Sequence, residues 1–418
     1  MKIAFFDYPW TLAEPPTVGS LCLYSYQMGR YLARSNEVVF YGSKAPHHQE
    51  LENYEEGIFY RRIPKSFINQ LLEPLNLLDN WQISNPKRPF FASKLYYLGY
   101  YLQIARDIQS QQCDVIHIHL VSQFVPLIRA FNPQAKIVLH MNTEWLTQLD
   151  SVMIERQIEQ VDLVIGCSDY VTNKIHKTFP NIPCKTIFNG VDVNIFSPKN
   201  EYSKITAKKI KQLIFVGRIS PEKGVHILLK AFNQVILKYP HVQLKIIGPE
   251  NAVLPWEMMN KEDPNVVKLA PFYKENYGSQ LRNIISPNAA NSVFFVGTVE
   301  NFKLIEFYEQ SDIFIFPSVW NEPFGIPIIE AMAMQLPVIA TYSGAFPEIV
   351  EQGTTGLLVE RSNADALAEA ILCLLENENL SKAMGKAGRQ RAVEKFSWDC
   401  LSESLLDQYK QICENTID

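Results

Sequence analysis

Short apolar runs alternate along the whole chain with longer segments of helical period. These runs, rich in Val, Ile and Phe, are KIAFF, VVFYG, IFYRRI, DVIHIHL, KIVLHMN, LVIGCS and TIFNG in the first half and LIFVG, VQLKIIG, VFFVG, DIFIFPS, PVIAT and GLLVE in the second. Strands that are apolar on both faces and alternate with helices form parallel sheets covered by helices on both sides. The alternation therefore predicts an α/β fold.

The chain is long enough for two such sheets. It has 418 residues, and residues 191–211 turn polar, lose periodicity and carry Pro198 before a new strand begins, which is typical of a linker. We predict two doubly wound, Rossmann-like domains in tandem, over residues 1–195 and 206–396. Ligands of such sheets bind at the carboxyl ends of the strands, so candidate site residues are sought there.

Composition excludes several classes of protein. A formal net charge of −5 gives no basic field for nucleic acid. Seven scattered cysteines without a C-x-x-C pair favour a reducing, cytoplasmic location. Asp7 interrupts what would be the apolar core of a signal peptide, and the uncharged stretch 331–347 is broken by Pro337 and Gly344, so neither a leader nor a membrane span is expected.

The segment FVGRISPEKG has the pattern of an anion cradle. A strand ends at Gly217, Arg218 and Lys223 follow in the loop, and a helix is expected over 224–238. Arginine offers a planar fork of donors and lysine a mobile point charge, and both suit a phosphate. The alternative is a solvated turn with two surface charges.

A helix start follows the strand IFIFPS. The chain reads N-E-P-F-G-I-P before an apolar helical segment, and Pro327 suits the first helical turn. The unpaired N–H groups and positive dipole end at Phe324, Gly325 and Ile326 suit a phosphate or a sugar hydroxyl.

Two glutamates flank this helix start. Glu322 precedes the helix and Glu330 lies inside it among apolar neighbours, so the two carboxylates can hold different parts of one ligand. A carboxylate accepts two hydrogen bonds and therefore suits the vicinal hydroxyls of a ribose or hexose. The alternative is that Glu322 caps the helix and Glu330 is a surface residue.

These residues carry a family resemblance. The stretch E-P-F-G-I-P-I-I-E resembles the E-x7-E motif of retaining GT-B glycosyltransferases of family 4. GRISPEKG, VFFVGTV, the Gly344–Val350 stretch and GTTGLLVE extend the resemblance over nearly the whole second domain. The first domain is similar more loosely, through PPTVGS, DVIHIH and NGVDVNIF.

The resemblance implies a nucleotide-sugar site in the second domain. Arg218 and Lys223 would neutralise the diphosphate, Glu330 would take the ribose hydroxyls, Glu322 would hold the donor sugar, and residues 297–299 would face the base. The implied donor-binding set is Gly19, Gly217, Arg218, Lys223, Thr298, Val299, Glu322, Pro323, Phe324, Gly325, Ile326 and Glu330. Gly19 is followed by Ser20, where many members of the family have a second glycine.

The implied catalytic set is His119, Arg218, Lys223 and Glu322. His119 ends the strand in DVIHIHL and resembles the family's active-site histidine; the alternative is a histidine hydrogen-bonded in the core. His140, at the end of the next strand, is a weaker candidate, favoured as a core residue.

The implied reaction is transfer of a sugar, with retention of configuration, from a nucleoside diphosphate to a hydroxyl of an unidentified saccharide, small metabolite or lipid-linked acceptor. The favoured donor is a UDP-sugar rather than a GDP- or ADP-sugar. We expect no cofactor and no metal, because the chain has no D-x-D and His117 and His119 are expected on opposite sides of their strand. A nucleotide-sugar epimerase or a non-catalytic sugar-nucleotide-binding subunit are the alternatives; no G-x-G-x-x-G supports an oxidoreductase.

The acceptor is expected on the first domain. Residues 66–102 depart from the strand and helix alternation and are dense in apolar and aromatic residues, which suggests either contact with the inner face of a membrane or, as we favour, an insertion packed on its own domain. By resemblance, the amphipathic helix predicted in residues 397–418 crosses back onto the first domain.

Overall fold

The computed structural model describes residues 1–9, 12, 20–45, 52–64, 66–72, 85, 87–198, 210–250 and 262–414. They form two compact units. The described residues of Met1–Asn189 and Trp398–Asp418 make the first, and those of Gly190–Ser397 make the second.

The strands are β1 Lys2–Phe6, β2 Glu37–Ser43, β3 Glu52–Glu55, β4 Ile58–Ile63, β5 Val115–His119, β6 Lys136–Met141, β7 Leu163–Gly166, β8 Cys184–Thr186, β9 Lys211–Val216, β10 Val242–Ile247, β11 Val293–Gly297, β12 Ile313–Phe316, β13 Val338–Thr341 and β14 Gly356–Val359. The α-helices are α1 Ser20–Leu32, α2 Phe67–Leu72, α3 Leu98–Gln111, α4 Val125–Phe131, α5 Trp145–Gln148, α6 Ser151–Ile158, α7 Asp169–Thr178, α8 Val225–Lys238, α9 Pro264–Val267, α10 Tyr277–Ile284, α11 Asn301–Gln310, α12 Ile326–Ala333, α13 Phe346–Ile349, α14 Ala364–Glu376, α15 Glu378–Phe396 and α16 Trp398–Glu414.

The sheet of the first unit has the order β3-β4-β2-β1-β5-β6-β7-β8. Its strands run parallel except β3, which pairs antiparallel with β4. The two are joined by Glu56 and Gly57, whose φ angles of 50° and 84° suit the two-residue type I′ hairpin turn. The sequence analysis predicted β4 but not β3, since ENYE is too polar to be recognised as a strand.

The sheet of the second unit is wholly parallel, in the order β11-β10-β9-β12-β13-β14. This is the doubly wound order 3-2-1-4-5-6, in which the chain reverses direction across the sheet between its first and fourth strands. The loops that follow β9 and β12 therefore lie side by side. The predicted fold of two doubly wound domains in tandem is confirmed.

The segment after Asn189 packs on the second unit. The Val191 N–H donates to the Phe396 carbonyl at 2.8 Å, and the Arg389 guanidinium donates to the carbonyls of Phe196 and Val193 at 2.6 and 2.8 Å. The strand expected at TIFNG is correspondingly shorter, because β8 ends at Thr186 and the chain then leaves the first sheet.

Helix α16 packs in the first unit. Its apolar side chains Trp398, Leu401, Leu405 and Tyr409 are buried with residues of α1 such as Tyr24. The 3.6-residue spacing of these positions produces the apolar stripe that the sequence predicts.

The predicted insertion at 66–102 is only partly described, since residues 73–84 and 86 lie outside the described residues. Helix α2 exposes Phe67 and Leu71, whereas Tyr100 and Tyr101 of α3 are buried in the first unit. Among the described residues, no helix is long and apolar enough to cross a membrane.

We expect Leu405→Ala to destabilise the first unit by about 2–5 kcal/mol, because truncating a fully buried leucine removes apolar contact and leaves a cavity. Denaturant unfolding monitored by circular dichroism measures this change. Glu403→Ala, at an exposed position of the same helix, is the matched control and should leave stability nearly unchanged. Equal effects of the two substitutions would contradict the packing of α16.

Candidate functional site

Two loops meet at the point where the second sheet reverses direction. After β9, residues 221–223 form one turn of 3₁₀-helix and Gly224 precedes α8 with a φ of 74°. A Cβ atom on Gly224 would lie 1.9 Å from the carbonyl oxygen of Pro317, in the loop after β12. Glycine is therefore required by both the backbone angle and the close approach of the second loop.

A buried ion pair joins these loops. The Lys223 Nζ lies 2.8 Å from both carboxylate oxygens of Glu322, and the two side chains are only 12% and 6% exposed. The Ser318 hydroxyl donates to Glu322 Oε1 at 2.5 Å, and the ring of Trp320 lies 5.2 Å from the ammonium. The two predicted residues thus come together, and the alternative of Lys223 as a solvated surface charge is wrong.

The backbone of Glu322 is held from a third loop. Gly344 has a φ of 52°, and a Cβ atom on it would lie 2.1 Å from the Glu322 carbonyl oxygen. That oxygen accepts from the Ala345 N–H at 2.9 Å, and the Glu322 N–H donates to the Ser343 hydroxyl at 3.3 Å. The main chain of Glu322 is fixed here and its carboxylate binds Lys223. The alternative interpretation, in which Glu322 caps α12, is therefore wrong.

Arg218 has a partner that sequence reasoning missed. Its guanidinium donates to Oε1 of Glu222 at 3.0 Å, and this carboxylate also accepts from the Ser220 hydroxyl at 2.6 Å. Glu222 is fully buried, whereas the Arg218 side chain is 33% exposed. The only signal in the sequence is an acidic residue between two cations, which by itself also fits a solvated turn.

Glu330 is buried, contrary to the alternative of a surface residue. The Tyr308 hydroxyl, on α11, donates to Glu330 Oε2 at 2.9 Å, a contact that the sequence did not reveal. Burial raises the pKa of the Glu330 carboxyl to about 7, against a smaller lowering by this hydrogen bond. The carboxyl therefore changes charge near neutral pH.

The helix start lies where the sequence places it. Helix α12 begins at Ile326 after Gly325, with Pro327 in its first turn, and the Gly325 carbonyl accepts from the Ile328 N–H at 2.9 Å. The positive end of the helix dipole is thereby placed immediately after the segment that holds Glu322. Phe324 is buried and makes an edge contact with Phe396. Pro323 lies between Glu322 and Phe324 in the chain.

The segment expected to face a base follows β11. Gly297 has a φ of 83°, and its carbonyl accepts from the Gly248 N–H at 2.9 Å. Thr298 is exposed and Val299 half-buried at the carboxyl end of this edge strand. Gly217 directly follows β9, and Gly19 lies outside the described residues.

In the first unit three histidines cluster. The rings of His117, His119 and His140 are fully buried, and His117 Nε2 lies 3.2 Å from His140 Nδ1. His117 Nδ1 lies 2.6 Å from the Tyr409 hydroxyl of α16. The expectation that His117 and His119 face opposite sides is wrong, because residues two apart on a strand share a face. Burial lowers the pKa of all three, to about 3 for His119, so the rings are neutral.

Asp7 lies beside this cluster and was missed as a candidate. It is fully buried at the end of β1, where Oδ1 accepts from the Ser25 hydroxyl at 2.8 Å and lies 4.0 Å from His119 Nε2. Burial raises the pKa of the Asp7 carboxyl to about 7. In the sequence, Asp7 served only to exclude a signal peptide.

The histidine cluster is the arrangement among the described residues that comes closest to a metal site. One ring nitrogen from each histidine lies within 4.8 Å of the others. The rings of His119 and His140 are stacked 4.9 Å apart at 18° rather than radiating from one point. Within this buried cluster, His117 is within hydrogen-bond distance of both His140 and Tyr409.

Comparison with known proteins places the chain in a family. Residues 198–391 match the model of glycosyl transferases group 1, and residues 23–195 match that of glycosyltransferase family 4. Together the two matches span both units.

Curated relatives and solved structures agree with this result. Spore coat protein SA of Bacillus subtilis is 27% identical over 323 residues, covering 74% of this chain and 81% of that protein. A GDP-mannose-dependent monoacylated phosphatidylinositol monomannoside mannosyltransferase of Corynebacterium glutamicum is 31% identical over 267 residues, covering 59% of this chain and 61% of that protein. The structure of HepE from Anabaena in complex with UDP, at 18% identity, superposes with a TM-score of 0.72 over 98% of this chain and 100% of that one.

The two family matches and the two doubly wound units, with their candidate residues at the loops after β9 and β12, agree: the chain belongs to the family 4, group 1 glycosyltransferases and has the GT-B fold.

Proposed function

We propose that the second unit binds the diphosphate of a nucleotide sugar and that the enzyme transfers the sugar with retention of configuration. The observation that carries this proposal is the ion pair between Lys223 and Glu322, beside Arg218 and directly before the start of α12. Two cations and a positive helix end thus converge on one edge of the sheet, where doubly wound domains bind their ligands.

Both cations are held in place before any ligand binds. Lys223 is fixed by Glu322 and Arg218 by Glu222, so little side-chain freedom remains to be lost when phosphates arrive. Such prearranged donors stabilise the charge that develops on a departing diphosphate. The main chain of Glu322 is fixed by its hydrogen bonds to the loop after β13. Its carboxylate and the N-terminus of α12 are proposed to bind hydroxyls of the donor sugar.

Glu330 is the residue proposed to bind the ribose. A carboxylate accepts hydrogen bonds from both vicinal hydroxyls, and in its ionised form the group acts purely as an acceptor. Its raised pKa means that this ionised form is reached near pH 7. Residues 297–299 are proposed to face the base through their main chain.

The proposed chemistry is a front-face displacement in which the leaving diphosphate helps to deprotonate the acceptor hydroxyl. This proposal follows the family resemblance. By the same resemblance, His119 is proposed to lie near the reacting sugar. We propose a UDP-sugar as donor, supported by the UDP complex of HepE, with a GDP-sugar as the second candidate because the mannosyltransferase relative depends on GDP-mannose. The acceptor is assigned to the first unit, and no catalytic metal is invoked.

Arg218→Ala is expected to lower kcat/KM by about 10²–10³-fold, since one well-placed donor to a developing oxyanion contributes on the order of 3–4 kcal/mol. Binding of UDP, GDP and ADP by titration calorimetry and slow hydrolysis of UDP-glucose and GDP-mannose provide the two readouts. Arg282→Ala, which removes an arginine paired with Glu250 in the same unit, is the matched control. If Arg218→Ala changes neither readout, the donor site is misassigned; if wild type binds nucleotides without turnover, the chain is a binding subunit.

Glu330→Gln is expected to raise the melting temperature at pH 8 and to have little effect at pH 5. Between about pH 4.5 and 7 the folded chain retains a proton that the unfolded chain releases, so the free energy of unfolding falls as pH rises through this window. The full cost of ionising the buried group is on the order of 3 kcal/mol above pH 7. The same substitution should weaken nucleotide binding.

Thermal unfolding at the two pH values measures this effect, and nucleotide affinity of the wild type should rise with pH through about 7. Glu369→Gln, at an exposed position of α14, is the control. A stabilisation by Glu330→Gln that is equal at both pH values would show that charge burial is not its cause.

Retention and metal independence have a direct test. When UDP-glucose, an α-linked donor, is hydrolysed slowly by the enzyme, proton NMR is expected to show α-glucose before mutarotation. The rate should be the same with excess EDTA. Initial release of β-glucose would establish inversion, and loss of activity restored by a divalent cation would establish a metal requirement.

A further inference from the structure

Glu222 is a buried carboxylate to which neither the family motif nor the sequence analysis assigns a role. It lies in the middle of the 3₁₀ turn Pro221–Lys223, between the two proposed phosphate-binding cations, and has no exposed surface. Removing a carboxylate from water is costly unless charged and polar partners replace the water. Its retention in this turn therefore calls for a physical reason.

The partners of the carboxylate converge from two directions. Oε1 accepts from the Ser220 hydroxyl at 2.6 Å and from the Arg218 guanidinium at 3.0 Å. The Tyr273 hydroxyl lies 3.5 Å from Oε2. The pKa of Tyr273 is raised, mainly by burial and further by Glu222, so this phenol keeps its proton and can donate. The carboxylate is thus held at Oε1 by Ser220 and Arg218 and approached at Oε2 by Tyr273.

This arrangement acts on Arg218 in particular. The Arg218 side chain is one-third exposed, and an arginine in such a position otherwise samples many rotamers. The pair is spaced four residues apart, but the residues lie in a loop and not on a helix face, so the turn itself brings them together. Because the guanidinium is planar, a hydrogen bond from its Nη2 to a fixed carboxylate oxygen restricts the directions in which the rest of the group can point.

The main chain of Glu222 makes contacts that are separate from those of its side chain. Its carbonyl accepts from the Val319 N–H at 2.8 Å and lies 3.1 Å from the Ser318 hydroxyl, which also contacts Glu322. These bonds tie the loop after β9 to the loop after β12. Because they involve only the backbone of residue 222, they remain available when its side chain is replaced. A side-chain substitution therefore tests the contacts of the carboxylate, with Arg218, Ser220 and Tyr273, and leaves the tie between the two loops in place.

We propose that Glu222 is a positioning residue that orients Arg218 toward the diphosphate of the donor. The proposal rests on the proposed function, since it gives Arg218 its ligand. Glu222 acts by fixing the orientation of the Arg218 side chain, and its negative charge is not required for this role. A glutamine, which keeps an oxygen to accept from Ser220 and Arg218, should therefore substitute for it, whereas alanine or the shorter aspartate should not.

The test is a double-substitution cycle with nucleoside diphosphates as probes. UDP, GDP and ADP are titrated into the wild type, and the tightest is used with Arg218→Ala, Glu222→Ala, Glu222→Gln, Glu222→Asp and the double alanine variant. Glu222→Ala and Glu222→Asp should weaken binding by about tenfold, and Glu222→Gln by less than about threefold. In the Arg218→Ala background, Glu222→Ala should add less than about twofold, because residues that act through one another are not additive.

Glu351→Ala is the matched control, since it breaks another Arg–Glu pair of the second unit, with Arg391, and Glu351 precedes β14 at the amino edge of the sheet, opposite the loops after β9 and β12. If Glu222→Ala does not fold, the comparison of Glu222→Asp with Glu222→Gln decides the question. Binding by Glu222→Gln as weak as by Glu222→Asp, or a full additive loss in the double variant, would overturn the positioning role. Unchanged nucleotide binding by Arg218→Ala would instead refute the proposed function.

Discussion

The close approach of the loops after β9 and β12 is the constraint on which the candidate site depends. Because Gly224 has no side chain, the first loop can lie directly against the Pro317 carbonyl. This close approach brings Lys223 within reach of Glu322. The parallel order of the sheet makes these loops neighbours, but a side chain at residue 224 would separate them. A single backbone position thus couples the fold of the second unit to the charge pair at its edge.

The site keeps several carboxylates away from water. Glu222, Glu322 and Glu330 are all buried, and burial alone would penalise each charge. The first two offset this cost with a cation, whereas Glu330 accepts from the neutral phenol of Tyr308, which only partly offsets the rise in its pKa caused by burial. A residue that lowers stability when ionised and is nonetheless present fits a binding role, because functional sites commonly trade stability for a poised group.

The fold could be predicted almost entirely from sequence, because strands buried on both faces carry their own signal in runs such as IFIF. The strand β3 was missed since its edge position tolerates the polar residues of ENYE. In the candidate site, Arg218, Lys223 and Glu322 could be singled out because charged residues that follow apolar runs stand out, and Glu330 because it lies among apolar neighbours. Their partners could not be found: Tyr308 reaches Glu330 from another helix, and its contact depends on tertiary packing that no local pattern encodes.

The pairing of the cations also bears on how the proposed diphosphate would be attracted to this site. The chain is net acidic, and Lys223 and Arg218 each lie against a carboxylate, so their local charges largely cancel. A field from summed charge would act at long range and would be screened by salt. At the proposed site, attraction would instead come from donors fixed at short range and from the start of α12. The positions of the donors then matter more than the net charge of the domain. Glu222 and Glu322 weaken the positive potential of the two cations, and the same two carboxylates hold those cations in position.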